Sequence, residues 1–133
     1  MVLVDTTVWI DFLRGDGSSA VLALRQLLEE GEACLAPVVL QELLQGAASP
    51  RAAATLRSRF ESLPLLELRP SGATYIEAGL LYARCRWQGY TPRSPHDCLI
   101  ARQAVEHEVP LLHDDRDFDR IAAIERRLRI LRP

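Results

Sequence analysis

The sequence predicts an α/β fold in which a central parallel sheet of about five strands is covered by helices on both faces. Three observations carry this expectation. Short runs such as VLV (2–4), ACLA (33–36) and PLLH (110–113) are continuously apolar rather than alternating, as strands buried on both faces are. Segments of helical length separate these runs, which implies crossover connections between parallel strands. The breaks between segments carry residues that cap helices or make turns. With 133 residues, the chain has the length of one domain, 1–133. A chain of that size buries about two thirds of its unfolded surface without needing staples.

The elements follow in order. VLV (2–4) is the first strand, and Asp5-Thr6 ends it and caps a helix through Phe12. GDGSS (15–19) is a turn. Ser18 or Ser19 caps the next helix, which Gly31 stops after Glu30. ACLA (33–36) is the second strand, and Pro37 suits the first turn of the helix VVLQELLQGA. Pro50 opens another helix, RAAATLRSRFESL, followed by a third strand, PLLEL (64–68). Ser71 starts a long helix through about Gln88, stopped by Gly89. After the loop YTPRSP, Ser94-Pro95 opens HDCLIARQAVEHE. PLLH (110–113) is the fourth strand, a short helix spans about Phe118–Ile124, and LRIL (128–131) is the fifth strand.

Composition narrows the function classes. No stretch of about 20 apolar residues offers a membrane span. The start, MVLVDTTVWIDFL, lacks the basic lead-in and small-residue cleavage site of a signal peptide, so the expected location is cytoplasmic. Cys34, Cys85 and Cys98 are odd in number, widely spaced and without a CxxC, so buried free thiols are expected. The net charge of −2 does not announce a nucleic-acid partner. All 16 basic residues are arginine, the better fork for phosphate. A base-composition bias in the genome explains that count equally well.

Chemistry is expected just beyond the carboxyl ends of the strands, where open α/β sheets bind ligands. Asp5 follows the first strand. Glu42 lies on the helix after the second. Asp97 is in the first turn of the helix before the fourth strand, and Asp115 and Asp117 follow that strand. The segment LLHDDRDFDRIA (111–122) crowds four aspartates into six positions. Two carboxylates about 5 Å apart repel by roughly 3 kcal/mol at an effective dielectric of about 20. Each acid also has a local explanation. Asp5 and Asp115 can be N-caps, Ser94-x-x-Asp97 resembles a capping box, Glu42 can sit on a solvated face with Gln41 and Gln45, and Asp114 and Asp119 can cap or solvate the last helix. Together the acids form an oxygen-ligand set suited to Mg²⁺ or Mn²⁺. His96, His107 and His113 are scattered, and no zinc spacing, catalytic serine order or glycine-rich phosphate loop is present.

VLVDTTVWIDFL, APVVLQELLQG, SPHDCLIARQA and VPLLHDDRDFDRIA match, in order and spacing, the motifs of PIN-domain ribonucleases. Within that family the chain is most similar to the toxin subunits of VapBC toxin–antitoxin modules, and the resemblance covers essentially its whole length. It implies a PIN-like three-layer α/β/α sandwich and a Mg²⁺- or Mn²⁺-dependent endoribonuclease acting on transfer or ribosomal RNA. Asp5, Glu42, Asp97 and Asp115 match the family's four acids, with Asp5, Asp97 and Asp115 as expected metal ligands. Asp117 matches an additional acid in the last motif, and Thr7 a small hydroxyl position after the first. His113 departs from the family, which often has threonine there. The resemblance also implies a cognate VapB-type antitoxin and a homodimer, for which the sequence hint is Ile76, Gly79, Leu80 and Ala83 on the long helix.

Rival readings fit less well. Response-regulator receivers and haloacid-dehalogenase-type phosphatases also gather aspartates around Mg²⁺, but both normally use a lysine, and this chain has none. The phosphatases also want Asp-x-Asp where this chain reads Asp5-Thr6-Thr7. A catalytically inactive PIN-like protein-binding module is the alternative of a different class, and the complete acid set argues against it.

Overall fold

A computed structural model describes residues 1–133. Its three strands are β1 (Val2–Val4), β2 (Ala33–Cys34) and β3 (Leu111–Leu112), ordered β2-β1-β3 and all parallel. Leu3 pairs with Cys34 on one side and with Leu111 on the other. The runs at 2–4 and 110–113 are therefore neighbours, with β1 in the centre. Successive strand residues point to opposite faces. Val2, Leu3 and Val4 are all buried, so both faces of the sheet are covered and the architecture is a three-layer α/β/α sandwich.

Seven α-helices provide the cover: α1 (Thr6–Leu13), α2 (Ser19–Glu30), α3 (Pro37–Gln45), α4 (Pro50–Phe60), α5 (Ala73–Trp87), α6 (Pro95–Glu106) and α7 (Arg116–Ile124). Helix α1 packs on α2 and α3, and α3 on α4; α5 packs on α6, and α6 on α7. The core joins Leu3, Val4, Leu35, Ile100, Leu111, Leu112 and Phe118. Trp9 meets Phe60 edge-on with ring centroids 5.0 Å apart, tying α1 to α4. Caps fall where the sequence places them. Asp5 caps α1, the Ser18 hydroxyl accepts from the Val21 amide, and Gly31 closes α2 in the left-handed conformation that favours glycine. Cys34, Cys85 and Cys98 are buried free thiols, and no helix is long and apolar enough to cross a membrane.

The sheet is narrower than the expected five strands. The runs at 64–68 and 128–131 each make only a single parallel bridge, Leu35 with Leu65 and Leu111 with Ile130. The five runs lie in the spatial order 64–68, β2, β1, β3, 128–131, but the two edges hold no continuous ladder. At one edge, the Leu66 amide donates to the Leu35 carbonyl. Three residues later the Arg69 amide donates to the Thr74 hydroxyl instead. The long helix also begins later than expected. Pro70–Gly72 form a 3₁₀ turn, with Ser71 at φ 60° and Gly72 at φ 74°, so Ser71 does not cap and α5 opens at Ala73.

Candidate active site

The strand ends and helix starts bring Asp5, Glu42, Asp97, Asp115 and Asp117 to one cleft of about 450 Å³, beside Thr6, Thr7, Ile10, Arg93 and Ser94. Each acid has its own structural support. Asp5 leaves the end of β1, where its amide donates to the Leu112 carbonyl of the neighbouring strand segment. Its carboxylate accepts from the Thr7 amide at 3.2 Å and the Thr7 hydroxyl at 2.7 Å. Thr7 thus does what a small hydroxyl after the first acid can do, and orients that acid. Burial raises the Asp5 carboxyl above its ordinary value, although the Thr7 hydrogen bonds oppose the shift.

Glu42 projects from α3. The Thr6 hydroxyl donates to its Oε1 at 3.1 Å, and His96 Nδ1 lies 3.9 Å from Oε2. Glu42 therefore belongs to the cleft rather than to the exposed pair Gln41 and Gln45, which bond each other at 2.8 Å. Asp97 sits in the first turn of α6. The capping box is not formed in the expected way, because the Ser94 hydroxyl accepts from the His96 amide. The Asp97 carboxyl is pushed up to about 7, first by burial and then by the charges of Asp5, Asp115, Asp117 and Glu42.

Asp115 is the N-cap of α7, and its Oδ1 accepts from the Asp117 amide at 2.9 Å. His113 Nδ1 accepts from the Asp115 amide at 3.0 Å, and its ring lies against Phe118 with centroids 5.2 Å apart. The residue that departs from the family pattern thus acts as a local acceptor that orders the Asp115 turn. Asp117 is buried, which alone would raise its carboxyl. The Arg93 hydrogen bond and charge, with the neighbouring Tyr90 hydroxyl, outweigh burial and hold it below the usual carboxylate range. Asp114 is exposed, and Asp119 pairs with Arg132 at 2.9 Å, away from this cluster.

Three of the acids are tightly grouped. One oxygen each from Asp97, Asp115 and Asp117 lies within 4.8 Å of the others. Asp5 lines the same cleft, but the close triplet uses Asp117 in its place. The fit to a small divalent cation is good. The donors are anionic oxygens, and an octahedral ion with bonds of about 2.1 Å spans roughly 4.2 Å between opposite oxygens. Burial first, and then the neighbouring acids, disfavour the ionised Asp97, and a cation would offset both.

Two contacts were not visible in the sequence reading. Thr6 anchors Glu42. Arg93, in the loop before α6, bonds Asp117 through Nε at 2.8 Å and Asp115 through a terminal nitrogen at 3.0 Å. The available signal was an arginine between two prolines, Pro92 and Pro95, four residues before a candidate acid. A larger cleft of about 870 Å³ lies towards the other end of α6, where Arg69, Arg102, Arg126, Arg127 and Arg129 surround Glu106 and Glu108. It contains none of the candidate acids.

Known proteins resemble this chain throughout. The family model for the PIN domain matches residues 2–124. VapC ribonuclease Mb1587 of Mycobacterium bovis and ribonuclease VapC11 of Mycobacterium tuberculosis are each 38% identical over 127 residues, covering 93% of this chain and 93% of the relative. Among solved structures, VapBC2 from Rickettsia felis bound to a promoter DNA fragment superposes with a TM-score of 0.75 at 18% identity, covering 98% of both chains. FitAcB from Neisseria gonorrhoeae gives 0.71 at 18% identity, covering 99% of this chain and 97% of the other. These structural likenesses bear on the fold.

Proposed function

The chain belongs to the PIN domain family, and from that premise we propose that it is a VapC-type toxin: a divalent-metal-dependent endoribonuclease that hydrolyses RNA phosphodiester bonds and is held in check by a VapB-type antitoxin. The observation that carries the chemistry is the meeting of acids from distant parts of the sequence in one cleft, with Asp97, Asp115 and Asp117 within 4.8 Å. The 38% identity to proteins named VapC ribonucleases supports the reaction class. Mg²⁺ or Mn²⁺ is the proposed cation, and transfer or ribosomal RNA the proposed substrate.

Asp5, Asp97 and Asp115 are the proposed metal ligands, and Asp117 joins them on the strength of the close triplet. When bound, the cation neutralises charge developing on the phosphodiester and favours attack by water. The chain supplies orientation. Thr7 fixes Asp5, and His113 fixes the Asp115 turn. Glu42 has Oε1 committed to Thr6, so Oε2 is the atom that can accept a proton from the attacking water. Preset carboxylates need little reorganisation as the reaction proceeds.

Incubating the purified protein with transfer RNA and with ribosomal RNA, with and without Mg²⁺ or Mn²⁺, tests this reading. Cleavage at discrete sites is expected, and EDTA is expected to remove it. Undiminished cleavage after complete chelation would sink the metal assignment.

The protein is also proposed to form a homodimer. Thr74, Ala78, Leu81 and Cys85 of α5 face the core, whereas Ile76, Leu80 and Trp87 expose 60%, 49% and 70% of their surface along the opposite stripe. Such a patch is typical of an interaction surface. Light scattering at micromolar concentration is expected to give twice the 14.9 kDa chain mass. Replacing Ile76 and Leu80 together by arginine is expected to halve the observed mass. A wild-type protein that scatters as the monomer contradicts the proposal.

A further inference from the structure

We propose that Arg93 is the site's own counter-ion: it clamps Asp115 and Asp117 in the cation-free protein, yields them to a divalent cation, and then turns its guanidinium to the phosphate of the incoming RNA. The last step rests on the ribonuclease reading above.

The geometry defines a competition. Arg93 bonds Asp117 Oδ2 at 2.8 Å and Asp115 Oδ1 at 3.0 Å, thereby engaging two of the three carboxylates in the close triplet. A guanidinium forked across two carboxylates makes strong charge-assisted bonds. A divalent cation drawing on the same carboxylates competes for their charge and repels the arginine at short range. Occupation by one therefore disfavours occupation by the other.

The surroundings let the side chain move while its backbone stays. Arg93 is 71% exposed on its side chain, whereas Asp115 and Asp117 are 18% and 8% exposed. Pro92 and Pro95 restrict the flanking backbone. The Pro92 carbonyl accepts from the Tyr82 hydroxyl at 3.4 Å, and the Ser94 hydroxyl caps α6. Release therefore occurs through the arginine's own torsions. The freed guanidinium remains tethered at the rim of the cleft. There its planar donors suit the non-bridging oxygens of a phosphodiester, and it supplies positive charge beside carboxylates that would otherwise repel RNA.

This role has a two-sided signature, whereas a merely structural clamp weakens everything at once. Mn²⁺ binding to the full chain without RNA, followed by the loss of the free-ion electron paramagnetic resonance signal, is expected to tighten about three- to tenfold in Arg93→Gln. In the same variant, KM for substrate RNA is expected to rise about tenfold or more, with a smaller change in kcat. Arg93→Lys keeps the charge without the fork and is expected to fall between wild type and Arg93→Gln in both measurements. Circular dichroism and thermal unfolding verify that each variant is folded. Mn²⁺ affinity that is unchanged or weaker in folded Arg93→Gln overturns the competition. Tighter Mn²⁺ binding with an unchanged KM overturns the phosphate contact. If wild type and variant both fail to bind Mn²⁺ and to cut RNA, the metal-dependent nuclease reading fails together with this inference. If both bind Mn²⁺ equally and cut RNA equally, only the inference fails.

Discussion

Asp97→Asn is expected to abolish RNA cleavage, by about 10³-fold or more, while making the cation-free protein more stable. The loss follows from removing a charged oxygen at the centre of the acid cluster; about 4 kcal/mol of lost transition-state stabilisation corresponds to that factor. The stability gain follows from the environment of the wild-type carboxyl, which is pushed up from 3.8 to about 7 by burial and by its acidic neighbours. A carboxyl raised in the folded state carries no penalty below pH 3.8, where folded and unfolded chains are both protonated. The penalty grows as pH rises through the window from 3.8 to about 7 and is complete above it. Asparagine cannot ionise. Its advantage in EDTA is therefore expected to be near zero at pH 4 and on the order of 2 kcal/mol at pH 8, after allowance for solvent screening. Thermal unfolding at the two pH values, followed by a cleavage assay with Mg²⁺ or Mn²⁺, measures both effects. A folded Asp97→Asn that cuts RNA at the parental rate removes Asp97 from the proposed machinery.

Glu125→Ala is expected to cause a large loss of stability. Glu125 is 3% exposed and accepts from Arg84 at 3.0 Å, Arg102 at 3.1 Å, and Arg127 at 3.0 and 3.1 Å. It links α5 and α6 to the chain after α7. Without it, the buried guanidinium of Arg102 keeps only Glu106, at 3.8 Å. Breaking a buried pair from one side costs about 3–5 kcal/mol because a charge is left without its partner. For a chain of this size, the fall in Tm is expected to be roughly 10–15 °C. The pH dependence gives a second check. Hydrogen bonding from Arg127, opposed by burial and aided by Arg84, holds the Glu125 carboxyl down at about 2, against 4.5 ordinarily. Its contribution is fully present above 4.5 and disappears as pH falls towards 2, so the gap between wild type and variant should close over that range. A Tm within about 3 °C of wild type at pH 7 would show that the hub contributes little.

The parts of the fold legible in the sequence are those fixed by local chemistry. Continuous apolar runs marked β1, β2 and β3, and Asp5, Ser18, Pro37, Ser94 and Gly31 marked helix ends. The edge runs exceed the observed strands because apolar composition fixes neither burial nor ladder pairing. Leu65 is 47% exposed, and each edge segment touches the sheet through one bridge. The start of α5 was misplaced because Thr74 serves a distant partner, accepting from the Arg69 amide and donating to Glu106 at 2.8 Å. In the cleft, the acids were legible from their positions after strands and at helix starts. The contacts of Thr6 with Glu42 and of Arg93 with Asp115 and Asp117 were not, because they join residues 36 and 22–24 positions apart and leave no local periodicity.

The central place of β1 also sets a timetable. Leu3 gains its second neighbour only when Leu111 arrives, and Asp5 gains the company of Asp115 and Asp117 at the same moment. Translation proceeds at about 5–20 residues per second, so roughly 5–20 s separate the emergence of the first acid from that of the last. Throughout that interval, a growing chain on the ribosome carries Asp5, and later Glu42, without the Asp97–Asp115–Asp117 triplet. The cluster is thus built last, by long-range pairing that is intrinsically slow. A nascent chain whose Asp115 and Asp117 have not yet emerged lacks the close triplet.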